Sequence, residues 1–182
     1  MLVIFGIFRY FKWYILLTTK FYTGTILSNS RVLDRIDLII LDILQKQGRI
    51  SNVELAKMVN LSPSPCLDRV KKLEQNGYIN RYGALLNANK LDYAMTAFIQ
   101  VTLDRTNADV FTKFREQVVK IKEVAECHMV AGGFDYLLKL RFKNMDAYRE
   151  LLGDIVGLPA VSQTHTYIVV EHVKRDEGIP IF

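Results

Sequence analysis

The apolar residues of this chain change their spacing partway along its 182 residues. From Leu33 to Leu73 they recur every three or four positions, which is the period of a helix with one buried face. From Met95 to Leu103 they alternate with polar residues, which is typical of a half-buried strand. The spacing therefore predicts an α+β fold in which a helical unit precedes a mixed unit of strands and helices.

Capping residues divide the helical part into three short helices. Gly48 ends the first helix, and Ser51 with Glu54 has the spacing of a capping box at the start of the second. Ser62 and Pro63 suit the N-cap and first position of a third helix, where the missing proline N–H costs nothing. This order predicts a helix-turn-helix behind a stabilising first helix. The predicted core positions are Leu33, Ile36, Ile40, Leu41 and Leu44, then Val53, Leu55, Ala56 and Val59, then Leu67, Val70 and Leu73.

The third helix is the predicted DNA-reading element, since the face opposite its core stripe is polar and basic. We expect Arg69 to bond a guanine edge with both arms of its guanidinium, worth ~1–3 kcal/mol of base discrimination. Lys71 and Lys72 suit phosphates, whose contribution to affinity falls with salt. Ser62 and the first-turn N–H groups suit a further phosphate. The predicted DNA contacts are Ser62, Ser64, Pro65, Asp68, Arg69, Lys71, Lys72 and Arg81, the last on a strand-like extension at 78–85. From spacing alone, the same residues also fit an ordinary solvated helix face.

The second half has the pattern of a ferredoxin-like domain. Strand patterning at 95–103, 124–130, 136–142 and 161–172 alternates with two helices that Asn107 and Asn144 can cap. The order is β-α-β-β-α-β. Such a sheet covers one face with its helices, so we expect the other face to form a homodimer.

Charge separates the two halves more clearly than the net charge of +5 suggests. Nine basic and six acidic residues give the segment 31–87 a charge of +3, whereas residues 88–182 carry −1. A basic first half beside a nearly neutral second half indicates an anion-binding module joined to another function.

The chain offers no predicted catalytic or metal centre. Cys66 and Cys127 lie far apart without metal-ligand spacing, which argues against a zinc site or disulfide scaffold and favours a reducing compartment. His128, His165 and His172 have no identifiable orienting acid, so we interpret them as structural or surface residues. The prediction is a protein that is not an enzyme and has no metal or cofactor.

Residues 1–30 do not share the pattern of the remainder. They hold three basic residues and no acid, and Arg9 and Lys12 interrupt an apolar stretch that is too short for a typical transmembrane helix. An over-extended start to the coding sequence is one interpretation, and a surface-lying helix is another. We expect no stable membrane association.

Several blocks of the chain resemble the Lrp/AsnC (feast/famine) family. They lie at 50–55, 61–67, 73–79, 84–87, 126–130, 134–139 and 147–153, so that the resemblance covers about residues 31–174. It implies a bacterial transcription regulator, an activator or repressor, whose winged helix-turn-helix binds double-stranded DNA. It also implies a ferredoxin-like domain that senses amino acids, typically leucine, and assembles dimers into octamers or larger rings. A cytoplasmic, nucleoid-associated location follows from this resemblance.

The same resemblance implies an effector site at the turn between the second and third strands. Asp135 matches an acid that suits the ligand's ammonium group, and Gly132 matches a glycine at a close approach. Gly133 stands where the family often has an acidic or amide residue. Thr164, Thr166 and Tyr167 on the last strand resemble positions that affect the leucine response, and they also fit ordinary sheet packing.

The predicted organisation has five parts: the extension 1–30, a DNA-binding domain 31–87, a linker 88–93, an effector and assembly domain 94–175, and a tail 176–182. Two other functions remain open. One is a ligand-binding sensor or enzyme that uses the ferredoxin-like half, and the other is a regulator tethered to a membrane through residues 1–22.

Overall fold

A computed structural model describes residues 33–105, 107–174 and 178–182, and their contacts divide the chain into two units. The first unit extends to Gly83 and includes the C-terminal residues 178–182, and the second begins at Ala84. A short 3₁₀ turn, Ala88–Leu91, lies within the predicted linker. The interpretations that concern residues 1–30 and a membrane tether lie outside the described residues.

The described part of the first unit contains three helices: α1 (Arg35–Lys46), α2 (Asn52–Met58) and α3 (Pro63–Gln75). The predicted capping box at α2 is confirmed, since Ser51 Oγ accepts the Glu54 N–H at 3.2 Å and Glu54 Oε2 accepts the Ser51 N–H at 3.3 Å. Asp34 and Asp37 form a second capping box at the start of α1. Local side chains therefore satisfy backbone donors at both helix starts.

The core of this unit differs from the prediction at two helices. Cys66, Ile43 and Leu73 are buried, whereas Leu67 is 40% exposed and Val53 is 50% exposed. Val70 and Leu73 lie on the inner side of α3 as predicted, but Cys66 takes the place of Leu67 there, since neighbouring positions lie about 100° apart around a helix. The prediction for Leu67 and Val53 is wrong because several apolar stripes share the same helical spacing, and only packing against α1 selects one.

After α3 the backbone turns at Gly77, whose φ of 74° lies in the left-handed region. Residues 79–87 form neither a helix nor a strand paired with another part of the described chain, so the strand-like extension at 78–85 stays a prediction. Tyr82 from this segment donates a hydrogen bond to Glu74 Oε1 on α3 at 2.9 Å.

The second unit has the predicted ferredoxin-like order. Its elements are β1 (Met95–Leu103), α4 (Ala108–Val118), β2 (Val124–Met129), β3 (Tyr136–Phe142), α5 (Met145–Val156) and β4 (Val161–Ile168). The strands form one antiparallel sheet in the order β2-β3-β1-β4. Asn107 and Asn144 cap the two helices as predicted, each accepting a backbone N–H at 2.9 Å. The last strand ends at Ile168 rather than at position 172, so His172 lies beyond the sheet.

The two faces of the sheet have different surroundings within this unit. One face packs its buried residues on α4 and α5: these include Ala97, Ile99 and Val101 on β1, and Leu138 and Leu140 on β3. The other face alternates with it, and we call it the uncovered face. It carries Phe98, Gln100, Leu137, Lys139, His165 and Tyr167, which the strand register places on neighbouring strands.

Candidate functional site

The solvent side of α3 is the candidate nucleic-acid surface. Cys66 and Leu73 are buried and Arg69 and Val70 are half-buried, which identifies the inner side of the helix. The exposed residues opposite them recur at three- and four-residue intervals, so they share one face. They are Ser64, Leu67, Asp68, Lys71 and Gln75. Sequence reasoning missed Leu67 and Gln75: it assigned Leu67 to the core stripe, and it did not name Gln75.

Arg69 contacts α1 instead of lying on this exposed face. Its Nη1 lies 2.6 Å from Asp34 Oδ2 and 2.7 Å from Asp37 Oδ1, and the Asp37 side chain is only 6% exposed. The Asp37 N–H and then the Arg69 guanidinium hold the pKa of Asp34 below its usual value. The predicted position of Arg69 on the outer face is therefore wrong, because its Nη1 forms an ion pair between the two helices. The guanine contact of Arg69 stays a prediction.

The start of α3 offers fewer anion-binding groups than predicted. Ser62 is the N-cap, but its side chain makes no capping hydrogen bond. Of the next three residues, Pro63 and Pro65 have no backbone N–H, and only Ser64 carries one. The predicted phosphate cradle at this end is thus reduced to the Ser62 and Ser64 hydroxyls and a single amide.

Three further predicted DNA-contacting residues are exposed. Lys71 lies on the solvent face of α3, Lys72 lies beside that face, and Arg81 lies on the segment after the helix. Long basic side chains that are free to extend suit phosphates better than bases.

Asp135 ends the loop between β2 and β3 and ties it to β1. Its Oδ2 accepts the Leu103 N–H at 2.8 Å, and its backbone N–H donates to the Val101 carbonyl at 3.0 Å. The side chain is half-buried. A carboxylate held in this way points in a defined direction, and its other oxygen can accept a hydrogen bond from a ligand's ammonium group.

Gly132 and Gly133 precede Asp135 on the same loop and are exposed. A Cβ atom added to either glycine would meet no heavy atom within 4 Å, and neither has a positive φ. The fold of the single chain therefore does not require glycine at these positions.

The three predicted effector residues on β4 lie on both faces of the sheet. Thr164 and Thr166 face the helices, and the Thr166 hydroxyl accepts a hydrogen bond from the Tyr148 hydroxyl at 2.8 Å. Tyr167 lies on the uncovered face and is 54% exposed. Since β1 separates β3 from β4, the β4 residues lie about two strand spacings, roughly 10 Å, from the strand that follows Asp135.

The histidines occupy separate surface positions. His128 Nε2 lies 3.3 Å from Glu126 Oε2, while Lys139 binds the other oxygen of Glu126 at 2.7 Å. These contacts, with that of Lys139 the strongest, lower the pKa of Glu126. Within the described ranges, no group of three His, Cys, Asp or Glu side chains could hold a metal ion. Among the same residues, none of the helices has the length and apolar character to cross a membrane.

Two protein-family models match the chain. A winged helix-turn-helix DNA-binding model matches residues 33–80, and an Lrp/AsnC ligand-binding domain model matches residues 96–179. The leucine-responsive regulatory proteins of Klebsiella pneumoniae and Escherichia coli K12 are each 53% identical over 150 residues, covering 82% of this chain and 92% of their own.

Solved structures have the same fold. A transcriptional regulator from Neisseria meningitidis in complex with L-methionine has a TM-score of 0.79 and 36% identity, covering 82% of this chain and 97% of its own. A feast or famine regulatory protein from M. tuberculosis complexed with L-methionine has a TM-score of 0.74 and 29% identity, covering 81% and 99%. Both matches span the helical and the ferredoxin-like units.

Proposed function

This chain belongs to the Lrp/AsnC family of ligand-responsive, DNA-binding transcription regulators, and we propose that it controls amino-acid metabolism genes in response to leucine or a related amino acid. Its relatives are regulators rather than enzymes. Bound methionine in two structural relatives supports an amino acid as the class of effector. We further propose that it acts in the cytoplasm on the nucleoid.

The observation that carries this function is the polar face of α3. Ser64, Asp68 and Lys71 project together from a helix whose opposite side packs on α1 and α2. Within a major groove, Asp68 can accept a hydrogen bond from a cytosine N4 amine, and Lys71 can reach a guanine edge or a phosphate. Leu67, which is 40% exposed on the same face, is suited to a thymine methyl group. Lys72, Arg81 and the Ser62 hydroxyl supply flanking phosphate contacts.

The loop that ends at Asp135 is the proposed effector site. One Asp135 oxygen is engaged by the Leu103 N–H, which fixes the carboxylate, and the other suits an ammonium group. The open space beside Gly132 and Gly133 leaves room for a ligand or a second copy of the chain. The roughly 10 Å between this strand and β4 favours a site completed by a second copy over one shared with Tyr167 of the same chain.

The uncovered face of the sheet is the proposed dimer interface. Phe98 and Leu137 are half-buried within the single chain, and Tyr167 is mostly exposed beside them. Pairing two such faces would remove apolar surface from water, which stabilises association. We propose that these dimers assemble further into octamers or larger multimers. An effector would shift that assembly only if it binds the different assembly states with different affinities.

One experiment tests the proposed function as a whole. The full-length chain is mixed with genomic DNA fragments, and gel shift with footprinting is repeated across a panel of amino acids, including leucine and methionine. The same samples are sized by light scattering. We expect protected sites whose affinity or extent changes with one amino acid or a few. Sequence-independent binding that no amino acid alters would contradict the proposal.

A further inference from the structure

The uncovered face of the sheet carries two of the chain's three histidines. His165 on β4 lies opposite Gln100 of β1, and His128 on β2 lies opposite Leu137 of β3. Gln100 and Leu137 also lie opposite each other, so the four side chains form one row across the sheet. Imidazole is the side chain that ordinarily gains a proton between pH 5 and 8. The charge of this row can therefore change near neutral pH.

The two histidines differ in the groups that face them. His128 Nε2 lies 3.3 Å from Glu126 Oε2, so a proton on His128 is placed beside a carboxylate. The side chains that face His165 on its own strand and on β1 are uncharged at neutral pH: Gln163, Tyr167, Phe98, Gln100 and Thr102. Protonation of His165 therefore puts a charge into an uncharged part of the face.

The charged groups of the face lie on the two other strands. Lys139 and Arg141 lie on β3, and Glu126 on β2 is the only acid among the described strand residues of this face. Glu126 Oε1 already binds Lys139 Nζ at 2.7 Å. In addition, β2 lies three strand spacings, roughly 14 Å, from β4. A protonated His165 thus has no nearby counter-ion, and it adds to an excess of positive charge.

Pairing with a second copy would change the surroundings of His165. In the single chain the residue is exposed, so water can hydrate its protonated form. Between two paired faces it would lie beside Phe98 and Tyr167 with less access to water. Burying an unpaired charge costs far more than burying a neutral polar group. A two-fold dimer contains this position twice, so the cost applies to both copies.

We propose that His165 makes the dimer sensitive to pH, because its neutral form permits pairing of the uncovered faces and its protonated form opposes it. This inference rests on the proposed function, in which these faces form the homodimer. The free chain binds more protons than the dimer, so the dimer weakens as the pH falls. Fewer chains would then bind DNA together, and the gain from linked contacts would be lost.

Sedimentation equilibrium of the full-length chain at pH 7.5 and 5.5, at one salt concentration, tests this proposal. Excluding the protonated form of one ordinary imidazole at pH 5.5 costs about tenfold in affinity. We therefore expect the dissociation constant of the parent dimer to rise roughly ten- to hundredfold, for one or both copies of His165. Circular dichroism at both pH values checks that the fold persists.

The other histidines supply matched controls. His165→Gln keeps a neutral polar side chain and should give nearly the same dissociation constant at both pH values. His172→Gln removes the same titrating group beyond the end of β4 and should respond to pH like the parent. His128→Gln should retain most of the response, because Glu126 faces that position.

Glu126 should not contribute to the response in this range. The hydrogen bond from Lys139, followed by that from His128, holds the pKa of Glu126 below its usual value. Its carboxylate therefore stays ionised at pH 5.5, and the charge that changes on the face is that of the histidines.

A permanent charge provides a second test that does not depend on acid. His165→Lys should form a dimer at least tenfold weaker than that of His165→Gln at pH 7.5, and equal dimers would overturn the proposal. A parent dissociation constant that is the same at both pH values, or a full response in His165→Gln, would overturn it as well. If the parent is a monomer at pH 7.5, the proposed dimer itself is wrong, and this result is seen before the variants are compared.

Discussion

At the scale of single residues, Arg69 shows how a basic side chain on a DNA-binding helix can serve the fold. Its guanidinium bridges Asp34 and the nearly buried Asp37, so it joins α3 to the start of α1. Asp135 anchors the Leu103 N–H through one oxygen, and its proposed second role is to offer its charge to a ligand. Variants at these residues must therefore separate charge from structure.

Arg69→Ala should destabilise the first unit, because it leaves the Asp37 carboxylate buried without its cation. We expect a loss of roughly 2–3 kcal/mol, below the ~3–5 kcal/mol typical of fully buried pairs. Urea unfolding measures this loss. Lys71→Ala is the matched control on the exposed face, and it should keep stability while lowering DNA affinity and reducing the salt slope by about 1. If Arg69→Ala keeps its stability but changes the base preference, Arg69 contacts a base rather than stabilising the fold.

The acid limb of the stability curve gives a second measure of the same ion pair. The folded-state pKa of Asp34 lies below its ordinary value of 3.8, so its stabilising contribution is present above that pH and is lost as the pH falls. Arg69→Ala should shrink this acid dependence.

Asp135→Asn should remove the amino-acid response while DNA binding without effector persists. Asparagine keeps an oxygen that can accept the Leu103 N–H, but it lacks the negative charge that an ammonium group requires. Isothermal titration with leucine and methionine, together with gel shift, checks this. Asp104→Asn removes an equal charge from a nearby exposed position and should leave the response intact. A full response in Asp135→Asn would exclude Asp135 as the anchor.

At the scale of elements, the segment after α3 is attached through Tyr82 rather than through strand pairing. The Tyr82 hydroxyl binds Glu74 on α3. The Tyr82 ring also lies near Gly48, after α1, because a Cβ atom added to that glycine would be 3.9 Å from Tyr82 Cδ1. This attachment holds the start of the segment that carries Arg81 close to the proposed DNA-binding helix.

Tyr82→Phe should remove the small contribution of the hydrogen bond to Glu74 at neutral pH, and with it the decline of stability at high pH. Burial, followed by the hydrogen bond to Glu74, raises the pKa of Tyr82 from 10 to about 12. The unfolded chain loses this proton first, so stability is complete below about pH 10 and falls as the pH rises toward 12. The variant should flatten that decline in denaturant titrations between about pH 9 and 12. Tyr93→Phe is the control, and an identical alkaline decline in Tyr82→Phe would contradict the assignment.

At the scale of the whole molecule, the uncovered sheet face is the surface that concerns assembly. Leu137→Lys should weaken the proposed dimer, because it places a charge within the paired faces. Sedimentation velocity should show a smaller species while circular dichroism remains unchanged. Val119→Lys, at a position that is 75% exposed at the end of α4, makes the same change away from that face. Equal sedimentation of both variants and the parent would place the interface elsewhere.

The sequence by itself determined the order and type of nearly every element, the capping residues and the family. These features depend on neighbours three or four positions apart, so periodicity and local hydrogen bonds encode them. Only the tertiary structure decided that Cys66 rather than Leu67 is buried on α3, which carboxylates hold Arg69, and that Gln45 binds Ile179, 134 positions away. Such partners are brought together by packing, and no local pattern records them. The exposure of Leu67 beside Ser64 and Asp68 was therefore visible only after the helices had been placed.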